Sequence, residues 1–363
     1  MQPTDFLYFE RKETPRARAM RAAARALLGF DAAPPDDVAR TFAAMYYDGD
    51  PFADALPDRP SARPEEIFAS DLAPPAWLDR TEVERGARAF RRWGPDVFRF
   101  AGAITLQGYG EASVAKPLAM AGGYVGDSAR RRFLETAQFW IAVSEPGGLE
   151  PGARGRAIAL RVRQMHAHVR KRLLASPAWD LDAWGVPISQ ADAILTLMGG
   201  SFLPGVAMHA MGYRTSAREI ESLMHFWRWI GHLMGVRPRW YPTSIREAAQ
   251  LTFLTLFKGA HRAGEDGVRL CQSFAAAFAP ASRGGIRARI DDGVHRGFTR
   301  FFLPRSTHRK NGLPRAGLWA LAPLAPFPFH FLVHSLRTLV PSIDEANDAF
   351  QRRRRERWLA ARL

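Results

Sequence analysis

Helical periodicity runs through almost the whole chain, and no sustained alternation of apolar and polar residues accompanies it. Apolar side chains recurring three and four apart predict helices over about 15–29, 36–46, 80–100, 110–121, 127–144, 154–175, 189–211, 216–235, 243–258, 265–279, 284–303 and 343–361. Ser189 and the Ser216-x-x-Glu219 pair read as helix starts, because a hydroxyl there can accept from the first free backbone N–H groups. Proline and glycine clusters at Ala33–Pro35, Pro57–Pro64, Pro74–Pro75, Glu145–Gly152 and Pro323–Pro328 punctuate the pattern. The expectation is an all-α fold forming one mostly helical domain over 1–363. Its core lies at about 80–260, with peripheral helical arms over 1–79 and 261–363.

Composition excludes several kinds of site. The single cysteine, Cys271, rules out an intrachain disulfide and any multi-cysteine zinc or iron–sulfur centre, and its helical apolar neighbours predict a buried residue. A bound metal therefore needs histidine and carboxylate ligands, or arrives inside a cofactor. No Gly-x-Ser-x-Gly elbow, P-loop, Gly-x-Gly-x-x-Gly fingerprint or His-Glu-x-x-His motif is present. Fifty-one basic against 36 acidic side chains leave a net charge of +15, which predicts attraction to acidic partners or anionic membrane surfaces. No recognisable nucleic-acid module accompanies that charge, so no nucleic-acid partner is expected.

Met1–Phe6 lacks a basic segment followed by an apolar run, which predicts no signal peptide and a cytoplasmic location. The most apolar segment, Gly317–His334, contains three prolines and two histidines, so it reads as interfacial or core-packed and not as a span. Together with the run Arg352–Arg355, it raises the possibility of peripheral membrane contact through the C-terminal arm. The alternative is a terminal helix docked on the core with its arginines solvated.

The stretch Arg161-Val162-Arg163-Gln164-Met165-His166-Ala167-His168-Val169-Arg170 sits in an unbroken helical pattern. Positions three and four apart share a face, so Arg163, His166 and Arg170 form one stripe. A histidine between two guanidinium groups suits a ring that binds a metal while the arginines hold anionic groups of the same cofactor. Haem has that chemistry, an iron that takes a proximal His and two propionates that Arg can grip. A basic, solvated helix face is the alternative. His168 projects elsewhere. His225 and His232, seven apart, share a face that a packed helix with a polar edge also explains.

Thirty residues before His166 stands Thr136, with Arg132 one turn earlier on the same face. A Gly/Pro loop leads from that helix into the His166 helix. Later come Trp184–Asp192 and the His225–Val236 segment with its Ile-Gly and Met-Gly-Val pattern. Over roughly residues 85 to 260 this succession resembles the latex-clearing protein (rubber oxygenase) and MpaB-type oxygenase family, whose members include oxygenases of isoprenoid chains. The resemblance implies a globin-like helical core that holds haem b. It puts His166 at the place of the proximal iron ligand, and Arg132 and Thr136 on the helix lining the distal side, close to where dioxygen binds. Rubber-cleaving members carry a lysine just before that threonine and a glutamate further upstream. Here those places hold Glu135 and Lys116, an exchange of charge. The expected function is a haem b-dependent oxygenase acting with dioxygen on a hydrophobic, unsaturated or isoprenoid substrate. Arg132, Thr136 and Glu135 are its catalytic candidates, His166 is the iron ligand, and Arg163 and Arg170 hold the cofactor. A non-enzymatic haem-binding or gas-sensing protein is the competing expectation.

Overall fold

The computed structural model describes residues 15–30, 34–52, 56, 63–121, 127–256, 263–279 and 285–363. Its α-helices are α1 (Pro15–Leu28), α2 (Asp36–Ala44), α3 (Pro64–Ile67), α4 (Arg80–Arg91), α5 (Asp96–Gly108), α6 (Ala112–Met120), α7 (Asp127–Ser144), α8 (Arg154–Leu174) and α9 (Leu181–Trp184). They continue as α10 (Gln190–Gly200), α11 (Phe202–Met208), α12 (Ala217–Leu233), α13 (Ile245–Leu256), α14 (Gly264–Ala277), α15 (Ile286–Phe302), α16 (Arg305–Lys310), α17 (Phe327–Leu339) and α18 (Pro341–Ala360). No strand forms among the described residues, so the all-α expectation holds. The predicted positions 257, 258 and 284, and most of the Pro57–Pro64 cluster, lie outside the described residues.

Both expected caps are present. Ser189 accepts from Asp192 N at the start of α10, and Ser216 with Glu219 forms a complete capping box on α12. Two predicted helices divide. The one over 80–100 breaks where Gly94 takes a positive φ of 56° and Pro95 follows, because a side chain at Gly94 would run into Gln351 of α18. The one over 189–211 breaks at Ser201, after the Gly199–Gly200 pair, and ends in a π-helical turn, His209–Tyr213. Residues Gln190–Tyr213 are long and apolar enough to cross a membrane, but 67% of that window is buried inside the protein. α17 escaped sequence reading because of its prolines. Pro326 precedes it and Pro328 lies in its first turn, where no intrahelical N–H donor is required.

α12 is the axis of the core. It lies against α4 along its length and also meets α8, α10, α11 and α13. Gly86 on α4 sets the approach, since a Cβ there would fall 2.2 Å from the Ser222 carbonyl oxygen. Where α4, α7 and α12 converge, Phe90, Trp140 and Trp227 meet edge to face at centroid distances of 5.3–5.6 Å. One hydrophobic cluster extends from Ala39 to Leu359 and takes in Cys271. The C-terminal helix α18 docks through ion pairs. Arg355, fully buried, reaches Glu145 and the Ser144 hydroxyl, Arg352 also pairs with Glu145, and Asp348 holds Arg91. The helix is thus docked on the core, with Arg352 and Arg355 of the run Arg352–Arg355 tied into the seam between α18 and the α7–α8 turn and Arg353 exposed.

Burial keeps several histidines neutral. It lowers His295 from the ordinary 6.5 to about 4 and His334 to about 3. The unfolded chain takes up these protons near pH 6.5 and the folded chain only near 3 to 4, so the unfolded form binds more protons in between. Stability is therefore fully present above about pH 6.5 and declines as the pH falls toward 4. Thermal unfolding followed by circular dichroism is expected to show a melting temperature that drops steadily over that range. A flat profile would contradict the buried, neutral assignment.

Candidate functional site

α7 and α8 form an antiparallel hairpin closed by the glycine-rich turn between them. A Cβ on Gly155 would lie 2.4 Å from the Gly148 oxygen and 2.6 Å from that of Ala142, so only glycine lets α8 start this close to α7. Thr136 lies eight residues before the end of α7 and His166 twelve after the start of α8. At about 1.5 Å of rise per residue, the two fall within roughly one helical turn of the same level along the hairpin. The hairpin therefore brings the two halves of the expected site to the same height.

The two arginines of the α8 stripe have different surroundings. Arg163 has no exposed surface. Its Nε and Nη2 donate to the two carboxylate oxygens of Asp50 at 2.8 and 3.0 Å, and its Nη1 stands 2.7 Å from Asp71 Oδ2. The guanidinium carbon lies over the Phe68 ring at 4.1 Å. Every nitrogen faces a carboxylate, so the expectation that Arg163 holds a cofactor is corrected. A cation this deeply buried needs its partners within the protein, and it has them.

Arg170 is buried but pairs with no carboxylate among the described residues. Nε donates to the Pro187 carbonyl at 3.0 Å and Nη2 to that of Ile188 at 2.6 Å. Ile188 holds a positive φ of 55°, strained for a β-branched residue, in presenting that carbonyl. Nη1 is buried and has no hydrogen-bond partner among the described residues. Burial lowers the guanidinium pKa; the charge of Asp50 offsets part of this and Arg163 adds to it. A buried cation with one unsatisfied N–H group fits an anion supplied from outside the chain.

His166 lies between these two arginines. The ring is half-buried and makes no hydrogen bond with the described residues. Burial, reinforced by Arg170 and opposed by Asp50, lowers its pKa from 6.5 to about 4. It is therefore neutral at physiological pH, the form in which an imidazole nitrogen binds a metal. His168 instead turns back to the Gln164 carbonyl at 2.8 Å.

The carboxylate cage around Arg163 extends to α12. Asp71 also takes Arg237 Nη2 at 2.7 Å, and Arg237 Nη1 donates to the His232 carbonyl at 2.6 Å. Gln190 accepts from the Arg237 backbone and donates to the carbonyls of Gly49 and Gly235. Here the Met234-Gly235-Val236 pattern shows its use. Val236 N donates to Gly231 O and Gly235 N to His232 O, a Schellman ending with Gly235 at φ 81°. A Cβ on Gly235 would sit 2.2 Å from Asp50 Oδ2. His225 and His232 do share a face, and both rings meet the edge of Trp77. His225 accepts from Asp79 N at 3.0 Å, so this pair packs α12 against the segment before α4.

On α7, Thr136 and Glu135 are exposed and Arg132 is half-buried. The Thr136 hydroxyl donates to the Arg132 carbonyl at 3.0 Å. Glu135 forms no ion pair with the described residues, whereas Lys116 pairs with Asp266 of α14 at 2.6 Å and lies over the Trp184 ring. Lys116 therefore stabilises the packing of α6 on α14. Sequence reasoning missed Asp50 and Asp71, whose only signal is that a buried arginine stripe demands acids from elsewhere in the chain. Among the described residues no three His, Cys, Asp or Glu side chains gather to hold a bare metal ion.

The family described as ER-bound oxygenase mpaB/B'/rubber oxygenase, catalytic domain, matches residues 90–338. The rubber oxygenase of Streptomyces sp. (strain K30) is 29% identical over 175 residues, 47% of this chain, and the match spans only 42% of that protein's own length. Among solved structures, latex clearing protein in the closed state superposes with a TM-score of 0.62 at 21% identity, covering 97% of this chain and 91% of that one. That likeness shows the fold.

The cage makes a stability prediction. Asp50→Ala leaves Arg163 with an uncompensated buried charge and is expected to lower unfolding free energy by about 3–5 kcal/mol. Thr136→Val, on an exposed face, is expected to change it by no more than about 0.5 kcal/mol. Denaturant unfolding of both variants checks this, and equal effects would remove the cage from its structural role.

Proposed function

The chain belongs to the ER-bound oxygenase mpaB/B'/rubber oxygenase catalytic-domain family, and from that membership we propose that it is a haem b-dependent oxygenase acting on a hydrophobic, unsaturated substrate with dioxygen. The observation that carries the reading is the pairing of a neutral, unpartnered His166 ring with the buried, unsatisfied Nη1 of Arg170 one turn away. Together these two groups fit an iron and a propionate of one cofactor. The similarity to the rubber oxygenase of Streptomyces sp. (strain K30) supports the reading.

When bound, haem b supplies the redox chemistry that brings dioxygen to a carbon–carbon double bond. The remaining roles fall to this chain's own residues. His166 holds the iron through a ring nitrogen that needs no deprotonation at neutral pH. Arg170 holds a propionate and, anchored on the carbonyls of Pro187 and Ile188, fixes the cofactor's orientation. Arg163, locked between Asp50 and Asp71, keeps α8 in register without touching the cofactor. Arg132, within about one turn of the level of His166 on the facing helix, would stabilise an oxygen carrying developing negative charge, and the Thr136 hydroxyl would do so on turning away from the Arg132 carbonyl. Glu135 brings a carboxylate where rubber-cleaving relatives have a lysine, so any proton it moves comes from an acid and not an amine.

Purified protein reconstituted with haem is expected to show a Soret band that His166→Ala abolishes. Arg170→Gln is expected to retain haem about tenfold more weakly, because one charge-assisted contact is lost. Full haem retention by His166→Ala would overturn the assignment. With haem bound, reversible binding of dioxygen without oxidised product from any alkene tested would favour the gas-sensing alternative.

A further inference from the structure

α17 is an amphipathic helix turned inside out. Its inward stripe is polar: His330, His334 and Arg337, at spacings of four and three. His330 lies against the Tyr213 ring at 4.0 Å and hydrogen-bonds the Met211 carbonyl. His334 accepts from Arg337 Nε at 2.9 Å, and Arg337 pairs with Glu219 of α12. Those contacts pin the polar stripe to the core, so the helix cannot roll its apolar side inward. Outward it presents Phe329 at 60% exposure, Leu332 at 58% and Leu339 at 77%. The turn before it adds Leu318 at 90% and Leu321 at 62%. A helix of a globular protein ordinarily does the reverse, and an exposed apolar surface of this extent marks an interaction site.

The surrounding charge says what covers it. Between Asp292 and Asp344 the chain has no acidic residue and seven basic ones. Arg305, Arg309, Lys310 and Arg315, just ahead of the apolar strip, are exposed and form no ion pair with the described residues. Arg214, from the turn beneath, lies over the Phe331 ring at 5.2 Å. Apolar side chains bordered by unpaired cations complement a bilayer whose headgroups are anionic. A second copy of the chain would fit poorly, since a two-fold contact sets this face against itself and doubles an uncompensated positive charge.

We propose that the α16–α17 face, residues 305–340, docks the protein peripherally on an anionic phospholipid bilayer. α17 lies in the interface plane with Phe329, Leu332 and Leu339 inserted, and the α16 cations rest among the headgroups. This surface is independent of the His166 site. It also places the protein where apolar substrates concentrate.

Co-sedimentation of the full chain with vesicles tests it. Binding is expected to be at least about tenfold tighter to phosphatidylcholine containing roughly one-third phosphatidylglycerol than to phosphatidylcholine alone, and to weaken with added salt. The double variant Leu332→Ser/Leu339→Ser is expected to lose binding to both vesicle types. Arg309→Glu/Arg315→Glu is expected to remove the preference for anionic lipid. Both variants change exposed side chains only, and unaltered thermal unfolding confirms that they fold. Wild type remaining in the supernatant with anionic vesicles, no preference between the two compositions, or undiminished binding by both variants would overturn the proposal. So would a dimer in light scattering that the leucine variant splits, since that result assigns the face to a second copy.

Discussion

Arg163 between Asp50 and Asp71 is the contact on which the rest of the site depends. A guanidinium with no exposed surface is tolerable only when each N–H group finds an anion at good geometry. Meeting that demand draws three distant parts of the chain together. Asp50 comes from the loop after α2, Asp71 from the segment before α4, and the Gly235 turn closes over Asp50 from the end of α12. The cage so formed sets α8 at a fixed rotation. That rotation leaves His166 partly accessible between two buried arginines and directs Arg170 at the strained Pro187–Ile188 turn. Asp50 and Asp71 lie against Arg163, whereas Arg170 meets only the carbonyls of Pro187 and Ile188 among the described residues.

How legible this was from sequence depended on whether the information was local. The helix boundaries of α7 and α8, the caps at Ser189 and Ser216, and the burial of Cys271 all follow from residues within one or two turns, and all were readable. The spacing of Arg132, Thr136 and His166 was readable too, because a short glycine turn constrains a hairpin tightly. The difference between Arg163 and Arg170 was not. Both lie on one stripe at helical spacing, and what separates them is a pair of aspartates about a hundred residues upstream whose approach depends on tertiary packing. The glycine of the Met-Gly-Val pattern was visible as a signature, but its cause, a carboxylate against its α-carbon, appears only in three dimensions.

The C-terminal arm shows the same limit from the other side. Apolar composition with three prolines argued against a membrane span, yet it also hid α17, because proline in a first turn is compatible with a helix. The arginine run in α18 looked like the cationic part of a membrane patch. In the fold Arg355 is wholly enclosed and Arg352 is paired, while Arg353 is exposed, and further exposed cations lie on α16 and just beyond.

A net charge of +15 therefore says little until its members are sorted by environment. Arg91, Arg163 and Arg355 are each among the most enclosed polar residues in the chain, and each is neutralised by a neighbour, so none contributes a field at the surface. Part of what remains lies where no acid exists for fifty residues of chain. That segment also carries α17, whose histidines are turned inward and whose large apolar side chains are turned out. Burying His330 and His334 is costly unless the opposite face has somewhere to go, because the same helix with its leucines inward would have given a conventional core. The inverted arrangement is stable in water only through the pairing of Arg337 with Glu219 and the stacking of His330 on Tyr213. A fold that maintains this orientation by specific polar contacts is organised to keep an apolar surface outward, beside cations left unpaired.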